Sequence, residues 1–124
     1  MNLFLSCLLL GLSLVANASD KVSMTVNPTQ GGFVVKLNAN PTTGFQWKIV
    51  RFDKKILTLT NSQYHKPQTN RIGAGGQMFF TFSLNKSKNY PDKTNIVFKY
   101  ARPWETNSGT IKNVTVNFIA TPTN

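Results

Sequence analysis

The chain has 124 residues, with 14 Lys+Arg against 4 Asp+Glu, a formal net charge of +10, 40% hydrophobic residues and 15% charged ones. That is the length of one domain with enough apolar residues for a modest core, which excludes extended disorder and a second folded domain. The basic excess raises nucleic acid or an anionic surface as a partner, and where the charges sit has to decide it.

Leu3 to Ala16 form a nearly unbroken apolar run. It has the length of a signal-peptide core and is too short to cross a bilayer. Ala16-Asn17-Ala18 then reads as an A-x-A cleavage site, although no Lys or Arg precedes the run. Residues 1–18 are therefore expected to be a cleaved signal peptide, and 19–124 a single exported domain, periplasmic or secreted, with no stable membrane insertion. A buried N-terminal strand fits fourteen residues without alternation badly. Cleavage would remove Cys7, the single cysteine. The remainder then has no disulfide, no thiol nucleophile and no thiolate metal site, and an exported domain of that kind suggests a bacterial source.

From Lys21 onward apolar residues recur with period two. The runs are Val22/Met24/Val26, Phe33/Val35/Leu37, Phe45/Trp47/Ile49, Met78/Phe80/Phe82/Leu84, Ile96/Phe98/Tyr100 and Val114/Val116/Phe118. Ile56 to Thr60 adds a short strand, and no segment carries a helical stripe. Seven strands separated by Gly, Pro, Asn and Asp-rich turns predict an all-β, immunoglobulin-like antiparallel β-sandwich. A small barrel is the competing architecture. If consecutive strands run antiparallel, the second, fourth and sixth connections emerge at one end. Those connections hold Asn40-Pro41-Thr42-Thr43-Gly44-Phe45, Gly73-Ala74-Gly75-Gly76 and Arg102-Pro103-Trp104. The stretch from Asn61 to Gly75 is expected to be one long loop.

In the first of these loops Pro41 fixes its own φ and pushes Asn40 to an extended conformation, while Gly44 permits a positive φ. Thr42 and Thr43 are stiff, so the loop should be a narrow projection that loses little entropy on binding. An ordinary Pro/Gly turn is the plainer reading. The glycine cluster offers backbone groups to a partner, or serves only as a flexible linker. A phosphate cradle fails for want of a Lys-Ser/Thr and a following helix. Arg102 and Trp104 are residue types frequent at interface hot spots, unless Trp104 folds back over the end of the sandwich. Trp47 alternates with Phe45 and Ile49 and reads as core.

Taken together, the three loops resemble the chagasin family of cysteine-protease inhibitors, whose members carry N-P-T-T-G-[YF], G-x-G-G and R-P-W loops in this order. Each motif is weak alone, and the ordered trio is specific. The resemblance implies reversible, tight inhibition of a papain-like cysteine protease; a monomer is expected, with no cofactor and no metal. Pro41 to Gly44 would enter the cleft at the catalytic Cys–His pair, Gly73 to Gly76 would pair along one side, and Arg102 and Trp104 would close on the other. The inhibitor itself supplies no chemistry.

Other classes fare worse. His65 falls in the long loop, far in sequence from Asp53, Asp92 and Glu105, and reads as a solvated histidine rather than a catalytic one. Strand aromatics such as Phe98 and Tyr100 could imitate a stacking platform for single-stranded nucleic acid, but they occupy the face a sandwich needs for its core. No nucleic-acid partner is therefore expected. A secreted basic β-sandwich binding module, for a glycan, as an adhesin or for nucleic acid, remains the alternative. The charge is spread along the chain and richest at the end opposite the three loops, which makes it a secondary property rather than the mark of the site.

Overall fold

The computed structural model describes residues 19–67, 75–86, 89–105 and 108–119. The segment read as a signal peptide, together with Gly73 and Ala74, lies outside the described residues. Seven strands run in chain order: β1 (Ser19–Val26), β2 (Gly32–Ala39), β3 (Gln46–Arg51), β4 (Leu57–His65), β5 (Gly76–Leu84), β6 (Lys93–Ala101) and β7 (Thr110–Phe118). They form two sheets, ordered β1-β7-β6-β3 and β2-β5-β4. Among the described residues, no helix is long and apolar enough to cross a membrane.

Period-two patterning produces this sandwich because alternate side chains of each strand point to one face, and both inner faces are apolar. Phe33, Val35 and Leu37 of β2, Phe80 and Phe82 of β5, Ile96 and Phe98 of β6, and Val114 and Val116 of β7 are all buried in one core. Phe82 and Phe98 are fully enclosed. Phe80 meets Phe98 across the sheets at 5.1 Å, and Phe82 stacks on Phe33 at 5.4 Å. The expected all-β sandwich is what forms. One pair departs from antiparallel: β1 runs parallel to β7 in unbroken register from Ser19↔Ile111 to Val26↔Phe118. Strands one and seven share a direction when consecutive strands alternate, so their pairing has to be parallel.

The fourth strand corrects the sequence reading. It continues to His65 instead of ending near Thr60, so the following loop starts only at Lys66. The cause is a bulge: the register with β5 shifts between Leu59 and Asn61, leaving Thr60 as the extra residue. Leu57 and Leu59 oppose Leu84 and Phe82, and beyond the bulge Ser62 and Tyr64 oppose Phe80 and Met78. One inserted residue thus reverses the alternation, and the polar run Asn61-Ser62-Gln63 hides a strand. His65 ends β4 rather than sitting in a loop. It remains exposed and stacks on Phe79 at 4.0 Å between centroids.

Candidate functional site

β2 ends opposite the start of β5 at Ala39↔Gly76, and β6 ends opposite the start of β3 at Ala101↔Gln46. The connections that follow β2, β4 and β6 therefore leave from one end of the sandwich. The loops touch one another there, as the strand alternation predicted.

Asn40 to Gly44 fold as a single 3-10 turn, Pro41–Thr43, closed by its own polar groups. The Asn40 Oδ1 accepts from the Thr42 hydroxyl at 2.6 Å and from the Thr42 amide at 3.3 Å. The Asn40 carbonyl accepts from the Thr43 amide at 3.1 Å and the Thr43 hydroxyl at 2.7 Å. Pro41 occupies the first position of the turn, where a missing N–H costs nothing. Gly44 ends it at φ 85°, ψ −8°, in the left-handed region, and its amide donates to the Pro41 carbonyl at 3.0 Å. Pro41, Thr42 and Thr43 stay exposed at the tip.

Two side chains from β6 and the loop after it hold this turn. The Tyr100 hydroxyl accepts from the Asn40 amide at 2.9 Å. The Arg102 Nε donates to the Thr43 carbonyl at 3.1 Å, its guanidinium lies 4.5 Å over the Phe45 ring, and Nη1 pairs with Glu105 at 3.3 Å. Ser108 donates to the other oxygen of Glu105 at 3.0 Å. An aromatic stack carries the brace inward: Phe45 on Tyr100 at 5.2 Å, Tyr100 on Trp47 at 4.6 Å, and Trp47 edge-on to Phe98 at 6.3 Å. Trp47 packs against the core as expected, and its indole N–H donates to the Asn38 carbonyl at 2.8 Å.

Trp104 does not fold into the sandwich. It is 69% exposed, the most exposed of the large apolar side chains among the described residues. Its ring edge lies against Gly44, where a Cβ would stand 2.6 Å from Trp104 Cη2. Glycine at 44 thus meets the φ and lets the Trp104 ring lie against the turn; a larger residue would displace the indole.

Of the glycine cluster, Gly75 and Gly76 are described. A Cβ on Gly75 would lie 3.0 Å from the Ala39 carbonyl oxygen, and one on Gly76 would lie 2.1 Å from the His65 carbonyl oxygen. Gly76 is the first residue of β5 rather than part of a free loop. The close backbone approach expected from a partner is here made by the chain itself. The two glycines border a groove of about 450 Å³ that runs past Asn40 to Tyr100.

Asn40 to Phe45, Gly75, Gly76 and Arg102 to Trp104 meet at one end, and within the chain Arg102 has contacts that its place in the sequence does not announce. Arg102 is engaged by Thr43, Phe45 and Glu105, so it positions the turn. Tyr100, Glu105 and Ser108 were missed. Tyr100 was legible as a core-face aromatic, and nothing in the pattern marks a hydroxyl that reaches a loop amide. Among the described residues no cluster of three His, Cys, Asp or Glu could hold a metal.

The sandwich presents an internally bonded turn and an uncovered indole at one end, the kind of loop surface on which scaffolds carry binding residues. Residues 28–118 match the model of the Chagasin family peptidase inhibitor I42. The chain belongs to this family, and it is a peptidase inhibitor rather than an enzyme. Among solved structures it is similar to the cysteine protease inhibitor EhICP2 from Entamoeba histolytica. That likeness has 18% identity over 83% of this chain and 88% of that one, with a TM-score of 0.59. It is also similar to amebosin in its solution structure, with 22% identity over 83% and 98% of the two chains and a TM-score of 0.55. No curated protein sequence matches the chain.

Proposed function

We propose that this inhibitor acts on papain-like cysteine proteases, reversibly and tightly, by placing its three-loop end in the substrate cleft. Pro41 to Gly44 lead at the catalytic pair, Gly73 to Gly76 flank them on one side, and Trp104 anchors the other with Arg102 and Pro103 behind it. The observation that carries this reading is the pairing of an exposed turn with an exposed indole on one braced end. A protease cleaves a peptide that lies extended across its catalytic groups. Pro41–Thr43 is held as a 3-10 turn by four hydrogen bonds centred on Asn40. Unfolding the turn to expose a scissile bond would forfeit those bonds and the Arg102 brace, so the loop occupies the cleft without becoming a substrate. Because the loop is already ordered, little conformational entropy is lost on binding. The protein is further read as exported after loss of residues 1–18 and as a monomer that makes a one-to-one complex.

Titrating residues 19–124 against papain-like proteases tests the proposal. Nanomolar or tighter inhibition is expected, with the inhibitor recovered intact after long incubation. No inhibition of several such enzymes at micromolar concentration refutes it, and so does cleavage between residues 40 and 45 with return of activity.

A further inference from the structure

The outer face of the four-stranded sheet carries a pair of residues that the fold alone does not favour. Lys48 of β3 and Lys99 of β6 stand directly opposite each other in the antiparallel register. Trp47, Ile49 and Phe98 on either side of them pack into the core, so both lysines point outward. Side chains so placed have Cβ atoms about 5 Å apart, and like charges directly opposite destabilise a strand pair. Among the described residues neither lysine meets a carboxylate; the ion pairs there are Arg102–Glu105 and Lys112–Asp20.

The pair also lies beside the loop end. A groove of about 220 Å³ is lined by Lys48 and Lys99 together with Arg102, Pro103 and Glu105. Gly109, at φ 112°, lies under the Lys99 stem: a Cβ there would be 3.2 Å from Lys99 Cε and 2.6 Å from Ala101 Cβ. Glu105 offsets Arg102, with which it pairs, and leaves the charges of Lys48 and Lys99 uncompensated. The groove is therefore cationic and adjoins the residue before Trp104.

We infer that this groove receives carboxylates on the rim of the target protease's cleft, and that Lys48 and Lys99 favour acidic-rimmed enzymes mainly by speeding encounter. The inference rests on the cleft-binding reading above and adds to it the charge of the partner. Charges at the edge of an interface act chiefly on the association rate and its salt dependence, whereas buried anchors govern dissociation. A partner carboxylate would also relieve the repulsion that the free protein carries.

The test compares the wild-type protein with Lys48→Gln/Lys99→Gln and with Lys99→Glu. Association and dissociation rates are followed by loss and return of peptidase activity, against one papain-like enzyme with an acidic cleft rim and one with a basic rim. On the acidic-rimmed enzyme at about 20 mM ionic strength, the double glutamine variant is expected to associate about fivefold more slowly, and Lys99→Glu more slowly still. Dissociation should stay within about twofold, and the rate differences should vanish near 0.5 M salt, where the Debye length falls to roughly 4 Å. Equal association rates at low salt, with inhibition retained, overturn the inference and leave the inhibitor reading intact. Absence of inhibition by the wild-type protein overturns both. A second measurement needs no protease: Lys99→Glu should raise the thermal midpoint by about 3 °C by turning the repulsive pair into an attractive one. A midpoint unchanged or lowered removes the premise.

Discussion

Replacing Gly44 with alanine should disable the site through a residue 60 positions away in the chain. The added methyl group does two things. It forces an L-residue into φ 85°, which costs about 1 kcal/mol of stability. It also stands 2.6 Å from Trp104 Cη2 and 3.3 Å from Cζ2, where carbon atoms settle at about 3.5–4 Å, so the indole must retreat by about 1 Å. The indole can retreat because only its inner third is covered. With a side chain of about 250 Å², the 69% that is exposed amounts to about 170 Å², worth up to about 4 kcal/mol if a partner covered all of it. Trp104→Ala should accordingly weaken inhibition by about 2 kcal/mol or more, roughly 30-fold, with a much smaller change in stability. Gly44→Ala should weaken it by about 1–2 kcal/mol in the wild-type background and by little when Trp104 is already alanine, a coupling of about 1 kcal/mol. Inhibition constants for the four proteins, with circular dichroism melts to verify folding, complete the cycle. An equal loss from Gly44→Ala in both backgrounds would show that the methyl acts on the turn alone, and an unchanged inhibition constant for Trp104→Ala would show that the indole is no anchor.

Tyr100→Phe should lower stability by about 1–2 kcal/mol by leaving the half-buried Asn40 amide without its 2.9 Å acceptor, and it should weaken inhibition as the turn loosens; an unchanged melt and inhibition constant would remove Tyr100 from the brace. Arg102→Lys keeps the charge but loses the planar group that serves Thr43, Phe45 and Glu105 together, and a loss of about tenfold in inhibition is expected; full activity in the lysine variant would mean that charge alone suffices. Protein recovered from exporting cells should begin at Ser19 by N-terminal sequencing, and a chain still starting at Met1 would refute the signal-peptide reading.

Most of the sandwich was legible because its strands bury one face, and burial on one face writes period two into the sequence. The alternation of strand direction then sufficed to bring Asn40, Gly75 and Trp104 to one end. The reading failed where a single residue upset the count. Thr60 bulges out, the positions opposite Phe82, Phe80 and Met78 move from odd to even numbers, and Ser62 and Tyr64 pair with β5 from a stretch that looks like polar loop. It failed also where a group's role depends on a contact distant in sequence. Arg102 and Thr43 are far apart in the chain, and no local pattern foretells that a guanidinium beside an exposed tryptophan will turn inward onto a backbone carbonyl. The glycines of the second loop were legible as close approaches, but not as approaches by Ala39 and His65 of the same chain.

Rigidity and charge divide the work of this inhibitor. The loop end satisfies its polar groups internally: Asn40 is bonded within the turn, and Arg102 is shared among a carbonyl, a ring and a carboxylate. What it leaves for a partner is the indole face of Trp104 and the narrow tip of Pro41–Thr43, surfaces whose worth comes from fit and burial and changes little with salt. The +10 charge, by contrast, comes largely from lysines, long-stemmed, hydrated point charges that attract at a distance without fixing a geometry. Raising the ionic strength should therefore slow association while leaving dissociation nearly constant, whereas substitutions at Gly44, Tyr100 or Trp104 should do the reverse. If surface lysines set only the encounter and the braced loop end sets the fit, substitutions of the first kind should alter association alone and those of the second dissociation alone.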